Sequence, residues 1–173
     1  IIIGGGMSFT FIKALGGKIG SSIHEDSMTE KALSILELAE QKNTKIHLPV
    51  DVVCAKEFKE GAESKIFAID SISDEYEGLD SGPKSLEKFK KIIMSSKTIL
   101  WNGPVGVFEL ESFSKGTQEI GTAIAESTKS GAFSLVGGGD SVAAVKKFKL
   151  ENEVSYVSTG GGAMLESLEG KIL

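Results

Sequence analysis

Arginine is missing from this 173-residue chain: every basic side chain is a lysine. The planar guanidinium fork that grips a carboxylate or phosphate with two parallel hydrogen bonds is therefore unavailable, so anions must be met by lysine or by backbone amides. Cysteine is nearly missing too. Cys54, the only one, has no partner in the chain for a disulfide, a usage that suits a reducing compartment. Flanked by Val53 and Ala55, it reads as a small buried hydrophobe. With His24 and His47 it forms no zinc spacing, and the two histidines read as surface or loop residues. No apolar run reaches the roughly 18 residues of a membrane span and no signal-peptide pattern is seen, so the expectation is a protein neither membrane-spanning nor secreted. A net charge of −5 provides no basic footprint for nucleic acid.

Glycine, by contrast, is abundant, and its 21 residues sit in doublets and triplets at the ends of apolar runs. Hydrophobic residues make up 40% of the chain, enough to give a single domain over 1–173 a real core. Ile1-Ile2-Ile3 reads as a buried strand cut off at its start, followed by Gly4-Gly5-Gly6 and a helix from Met7 to Leu15. Ser27-Met28-Thr29-Glu30 has the form of a capping box before a helix carrying Ala32, Ile35, Leu36 and Ala39 at helical spacing. Ile46 to Ala55 and Ile66 to Ile69 read as strands. After Gly82-Pro83 the spacing predicts a helix with Leu86, Phe89 and Ile93 on one face, then a strand from Thr98 to Trp101. A stripe of Phe113, Thr117, Ile120 and Ile124 predicts the next helix. Two further strands, Ala132–Val136 and Val154–Val157, run into Gly137-Gly138-Gly139-Asp140 and Ser158-Thr159-Gly160-Gly161-Gly162, each followed by a helix, the last from about Ala163. Strand, glycine loop and helix recur with little between them. The reading is a three-layer α/β/α, Rossmann-like domain with a mainly parallel sheet.

In such a sheet the loops after the strands emerge at one edge, where ligands bind. Any one glycine triplet is compatible with a plain tight turn. Three at the same edge, joined by the stiff and open Asn102-Gly103-Pro104, point to a nucleotide or phosphorylated metabolite, because glycine lets backbone approach a ligand and helix N-termini offer free amides to anions. The common phosphate fingerprints fail. No segment fits G-x-x-x-x-G-K-[ST], and the last position of G-x-G-x-x-G would fall on Phe9, Val142 or Leu165. Read from the residues alone, Glu109 is either a ligand carboxylate or an exposed helix-start acid, and Asp140 either a metal ligand or a helix cap.

"IIIGGGMSFTF", "LPVDVV", "GLDSGP", "WNGPVGVFE", "VGGGDSVAA" and "VSTGGGAMLESLEGK" follow one another in this chain. In that order they resemble the C-terminal, nucleotide-binding half of phosphoglycerate kinase, from Ile1 to Leu173. The resemblance implies phosphoryl transfer between 1,3-bisphosphoglycerate and MgADP, giving 3-phosphoglycerate and ATP, in a monomeric cytoplasmic enzyme. It implies that Asp140 holds the nucleotide-bound Mg2+, with Ser141 beside the phosphates. It gives the catalytic part to Gly138, Gly139, Gly161 and Gly162, whose amides face the transferring phosphoryl group. Glu109 would take the ribose hydroxyls and Asn102 the phosphate and ribose region, with Pro104 and Val107 bordering ribose and base. Gly5, Gly6, Gly78 and Leu79 would bound the adenine slot, with Ile23 on its wall. The resemblance also implies parts this sequence does not contain: an N-terminal domain with a basic patch and arginine, a glycine-lysine loop, and a C-terminal tail. The expectation is that this chain alone does not turn over. The alternative is a catalytically silent adenine-nucleotide-binding module.

Overall fold

A computed structural model of the chain describes residues 1–158 and 160–170; Thr159 and Lys171, in the last of the motifs quoted above, lie outside the described residues. The helices are α1 (Gly5–Ala14), α2 (Thr29–Gln41), α3 (Pro83–Ser95), α4 (Lys115–Lys129), α5 (Gly139–Lys147) and α6 (Gly161–Leu168). The strands are β1 (Lys18–Ile19), β2 (Asp51–Ala55), β3 (Ser64–Ala68), β4 (Ser71–Ile72), β5 (Glu77–Ser81), β6 (Thr98–Asn102), β7 (Phe133–Gly137) and β8 (Tyr156–Val157). The architecture is α/β and Rossmann-like. Among the described residues, three of the five strand pairings are parallel: β1 with β4, β6 with β7, and β7 with β8. No helix among the described residues is long and apolar enough to cross a membrane.

Tertiary contacts divide into two units, Ile1–Phe89 with Val105–Gly116, and Lys90–Pro104 with the chain from Thr117. In the first, β2 lies between β3 and β5 and is antiparallel to both. Parallel pairings outnumber these two, in keeping with a mainly parallel reading, but β5 itself was not read as a strand, and the cause is local. Glu77-Gly78-Leu79-Asp80-Ser81 carries too much polar and glycine character to show as a strand, yet β5 is buried from Leu79 onward and pairs with β2 on both sides of a register shift at Leu79. Ile1–Ile3 is likewise less than a strand. Ile2 makes an isolated parallel bridge to His47, Ile3 is buried, and Ile1 is exposed. Phe9, Ile12, Ile19, Val52, Ile69, Ile72 and Tyr76 form one apolar cluster, with Cys54 fully buried among them.

The expected capping box does not form. Asp26–Met28 is a 3₁₀ turn, Met28 is the N-cap of α2, and no side chain caps the helix. The physical reason is local: Ser27 lies inside the 3₁₀ turn that runs straight into α2, so it does not take the extended conformation of a capping residue. The α2 stripe is only partly buried, with Ala32 buried, Leu36 and Ala39 half-buried and Ile35 exposed, whereas those of α3 and α4 appear as read. Leu86, Phe89 and Ile93 on α3 are buried, as are Thr117, Ile120 and Ile124 on α4, with Phe113 buried in a 3₁₀ turn just before that helix.

Two buried aspartates accept hydrogen bonds at helix starts. Asp51 on β2 accepts Ser85 N–H at 2.8 Å, Ser85 Oγ–H at 2.7 Å and Lys84 N–H at 3.0 Å, all at the first turn of α3. Asp80 on β5 accepts Gly116 N–H at 2.7 Å at the first turn of α4, and Ser81 N–H at 2.8 Å. A Cβ at Gly106 or Gly116 would overlap the Asp80 carboxylate, so both must be glycine. A carboxylate at a helix N-terminus satisfies free amides and opposes the positive end of the dipole.

In the second unit β6, β7 and β8 form a wholly parallel sheet. Ile99 and Trp101 lie on its buried face, while Leu100, Phe133 and Tyr156 are exposed. Asn102 pairs with Gly137 in register, so β6 and β7 end level with each other.

Two outcomes follow from this packing. Asp51→Ala should destabilise the protein by about 3 kcal/mol, since it strips three donors of a charged acceptor, and Asp51→Asn by less; urea denaturation checks both. Burial pushes the Cys54 thiol up from 9.0 to about 12. The folded protein should therefore be inert to a thiol reagent at pH 8 and react on unfolding. The stabilisation linked to the neutral thiol is fully present below pH 9.0, declines as the unfolded thiol ionises, and is lost once pH has risen through about 12.

Candidate functional site

The candidate residues of the first unit gather in two places. Gly5 and Gly6 form the first turn of α1, whose N-cap Gly4 is extended and whose start has no side-chain cap. A Cβ at Gly6 would stand 3.0 Å from Ile23 Cγ2, so that exposed side chain lies directly against open backbone. Ile23 is 73% exposed, and yet its loop is firmly held. Gly78 N–H donates to the buried Ser22 Oγ at 2.9 Å, and His24 Nδ1–H donates to Ser22 O at 2.9 Å. That fixes the tautomer: His24 Nε2 accepts from the Lys13 ammonium at 2.7 Å. The hydrogen bond and charge of Lys13 in turn hold the Asp26 carboxyl below the ordinary carboxylate range. His24 is a loop residue, as expected, but an anchored one.

Gly78 and Leu79 lie on β5. Gly78 has no room for a side chain against Phe9 of α1. The Leu79 side chain is buried with Ala55 and Phe113, and its carbonyl accepts Val107 N–H at 2.8 Å. Leu79 therefore meets this region through its backbone. From Val107 the chain makes successive tight turns, with Leu110 N–H on Val107 O at 3.1 Å and Phe113 N–H on Leu110 O at 3.0 Å. Glu109 is exposed within them. The far end of this segment meets a residue that the sequence did not single out, Glu60, which accepts from both the amide and the hydroxyl of Ser112. A distance of 52 positions in the chain hides that pairing.

The second unit brings Asn102, Gly138 and Ser141 together. Gly138, at φ +88°, turns the chain from β7 into α5, and a Cβ there would run into Asn102 Oδ1. Ser141 is fully buried, and its Oγ accepts Gly103 N–H at 2.5 Å. Its hydroxyl thus pins the Asn102-Gly103-Pro104 turn. Trp101 Nε1–H closes the same turn on Gly103 O at 2.8 Å, and Pro104 is half-buried beyond it. Gly139 opens α5 with nothing within 4 Å of where a Cβ would be, and no side chain caps the helix. Asp140 is exposed in the first turn, and Lys146 and Lys147 occupy the last. The neighbouring strand β8 leads in the same way to α6, which opens with Gly161 and Gly162; the position of Gly162 is equally open. The N-terminus of α5 thus offers bare amides at the end of a parallel strand, an arrangement suited to anions, and α6 follows the neighbouring strand in chain order.

Among the described residues no three His, Cys, Asp or Glu side chains cluster as a metal cage. A single exposed carboxylate such as Asp140 fits a divalent ion whose other ligands are phosphate oxygens and water, the usual manner of Mg2+.

Glycine turns and uncapped helix starts on parallel strands define an α/β protein of Rossmann-like fold. The family model for phosphoglycerate kinase matches residues 1–171. Over the whole chain it is 55% identical to a phosphoglycerate kinase of Thermosipho africanus and 53% to one of Porphyromonas gingivalis, covering 43% and 41% of those proteins. The solved phosphoglycerate kinase of Coxiella burnetii superposes with a TM-score of 0.94 at 46% identity, over 99% of this chain and 44% of that one. The chain belongs to the phosphoglycerate kinase family. It spans less than half the length of the relatives it matches.

The geometry at the end of β7 separates two adjacent glycines. Gly138→Ala should cost about 2 kcal/mol through strain at positive φ and collision with Asn102, and should shift the emission of Trp101. Gly139→Ala, in open space, should leave both stability and emission close to the unaltered protein. Denaturation followed by tryptophan fluorescence compares the two.

Proposed function

We propose that residues 1–173 act as one domain, the nucleotide-binding portion of a phosphoglycerate kinase. In that reading the phosphoryl group passes from the acyl phosphate of 1,3-bisphosphoglycerate to the terminal phosphate of ADP. In reverse, a carboxylate oxygen of 3-phosphoglycerate accepts the group from ATP. The observation that carries the reading is the turn at Gly138, where β7 passes into an uncapped helix with Asn102 against it and Asp140 in its first turn. Family membership supports it.

Phosphoryl transfer asks a protein for alignment and charge stabilisation more than for covalent chemistry. The amides of Gly138, Gly139, Gly161 and Gly162 would donate to the equatorial oxygens of the group in flight. Asn102 would orient the phosphate and ribose region, and Ser141 would hold the turn that carries it. Asp140 would hold Mg2+, which supplies neutralisation of the charge on the phosphate oxygens. A carboxylate beside an anion site repels the anion unless a cation is shared between them, and a divalent ion resolves that conflict. Glu109 would accept the ribose hydroxyls, with Val107 and Pro104 beside ribose and base. Gly5, Gly6, Gly78 and Leu79, with Ile23, would offer backbone and apolar surface to the adenine. The full enzyme would be monomeric and cytoplasmic, with its second substrate bound by the part of the family protein that this chain does not span.

A second reading, a catalytically silent nucleotide-binding module, is favoured by one observation, the complete lack of arginine. Without it the chain has no bidentate partner for the phosphate and carboxylate of the second substrate.

Trp101 is 6% exposed and bonded to the turn beside Asn102, which makes it the natural reporter. Titration with MgADP should give a saturable change in its emission, and Asp140→Ala should weaken binding by about tenfold or more with Mg2+ present. A flat response from a folded chain would sink the nucleotide reading. Addition of the family's N-terminal domain should restore ATP formation; binding without turnover in that mixture would instead select the silent module.

A further inference from the structure

We propose that Glu60 is a positioning residue for the ribose carboxylate Glu109, an inference that rests on the reading of Glu109 given above. The segment from Gly106 to Gly116 leaves and returns at one point. Gly106 packs on the Asp80 carboxylate, and Gly116 N–H donates to it. One flank of the segment is fixed by the Val107 amide on Leu79 O. On the other flank Leu110 packs against the Leu79 and Phe113 cluster, and Glu111 and Ser112 are exposed. There Glu60 supplies the tether. Its Oε1 accepts Ser112 N–H at 3.1 Å and the Ser112 hydroxyl, and Oε2 accepts the same amide at 3.4 Å. Gly61 N–H closes the ring by donating to Ser112 Oγ at 3.0 Å and to Glu60 Oε1 at 3.2 Å.

Glu109 stands between these two fixed flanks, three residues from Ser112. The hydrogen bond from Ser112 holds the Glu60 carboxyl below the ordinary carboxylate range, so it is charged at neutral pH and accepts strongly. A carboxylate on a tethered loop receives a pair of hydroxyls without first having to be ordered. On a loose loop that ordering is charged against binding. The tether should therefore act on the part of affinity that comes from the ribose hydroxyls and on no other part.

The test compares binding of ADP with that of an ADP analogue lacking both ribose hydroxyls, by calorimetry with Mg2+, in the unaltered chain, Glu60→Ala and Glu60→Gln. The unaltered chain should prefer ADP by about tenfold. Glu60→Ala should reduce the preference to about twofold or less while leaving affinity for the analogue in place. Glu60→Gln, which retains one acceptor oxygen, should fall between. A full preference in Glu60→Ala overturns the inference about Glu60 alone. Equal binding of both nucleotides by the unaltered chain overturns Glu109 as the ribose carboxylate, and this inference with it. Amide exchange over 107–113 reads the tether without any ligand. It should quicken by about tenfold in Glu60→Ala with exchange in α1 unchanged, and an unchanged rate over 107–113 overturns the tether even if no nucleotide binds.

Discussion

A buried carboxylate that closes the start of a helix is the contact on which the first unit depends. Asp51 and Asp80 are each 5% exposed, and removing such a group from water is costly unless every oxygen is occupied. Here the donors are the helix amides themselves, so the cost is offset by groups that would otherwise have no partner. The same contact dictates sequence. Gly82 packs on Asp51, and Gly106 and Gly116 on Asp80, each because a methyl group would take the place of the carboxylate. Asp80 also sets the base of the segment carrying Val107 and Glu109. One aspartate thereby links β5 to the loop that carries Glu109.

At the end of β7 the groups that could meet an anion belong to the main chain. With arginine absent, the groups available at the end of β7 are the amides of an uncapped helix, which form no ion pair with a particular side chain and cost little to desolvate. Helix α5 is charged in keeping with its dipole, acid in the first turn and Lys146 with Lys147 in the last. Backbone amides held by strand register cannot swing as lysine side chains do. The price is rigidity: Asn102, Gly103, Gly138 and Ser141 must all be in place for any one of them to be useful.

Much of this was legible in the sequence. The faces of α3 and α4 were read correctly because burial follows helical spacing there, as at Leu86, Phe89 and Ile93, while on α2 Ile35 of the expected stripe is exposed. The strands ending in glycine triplets were visible because β-branched and aromatic runs stop abruptly at Gly137 and Gly160. What escaped was polar structure fixed by distant partners. Strand β5 was hidden by its own glycine and acids, since its burial comes from β2 and α1. The start of α2 was misread because a 3₁₀ turn over Asp26–Met28 takes in Ser27 and leaves Met28 as the cap position. The motifs containing Asp51 and Asp80 drew notice as a family signature, yet nothing in their spacing revealed that both acids serve as caps. Glu60 left no local signal at all, because its role exists only once Ser112 has been brought to it.

Strands β6 and β7 end level, Asn102 against Gly137, and this sets how the protein can fail. Side chains in a strand alternate between faces, so a slip by one residue would turn Asn102 to the opposite face and move it by about 3.3 Å. No intermediate register keeps it half in place. A preparation with reduced binding through mispaired strands would therefore be a mixture of competent and incompetent molecules. Its titration would show a lower stoichiometry at unchanged affinity, and the number of sites, not their strength, would measure how well the sheet had formed.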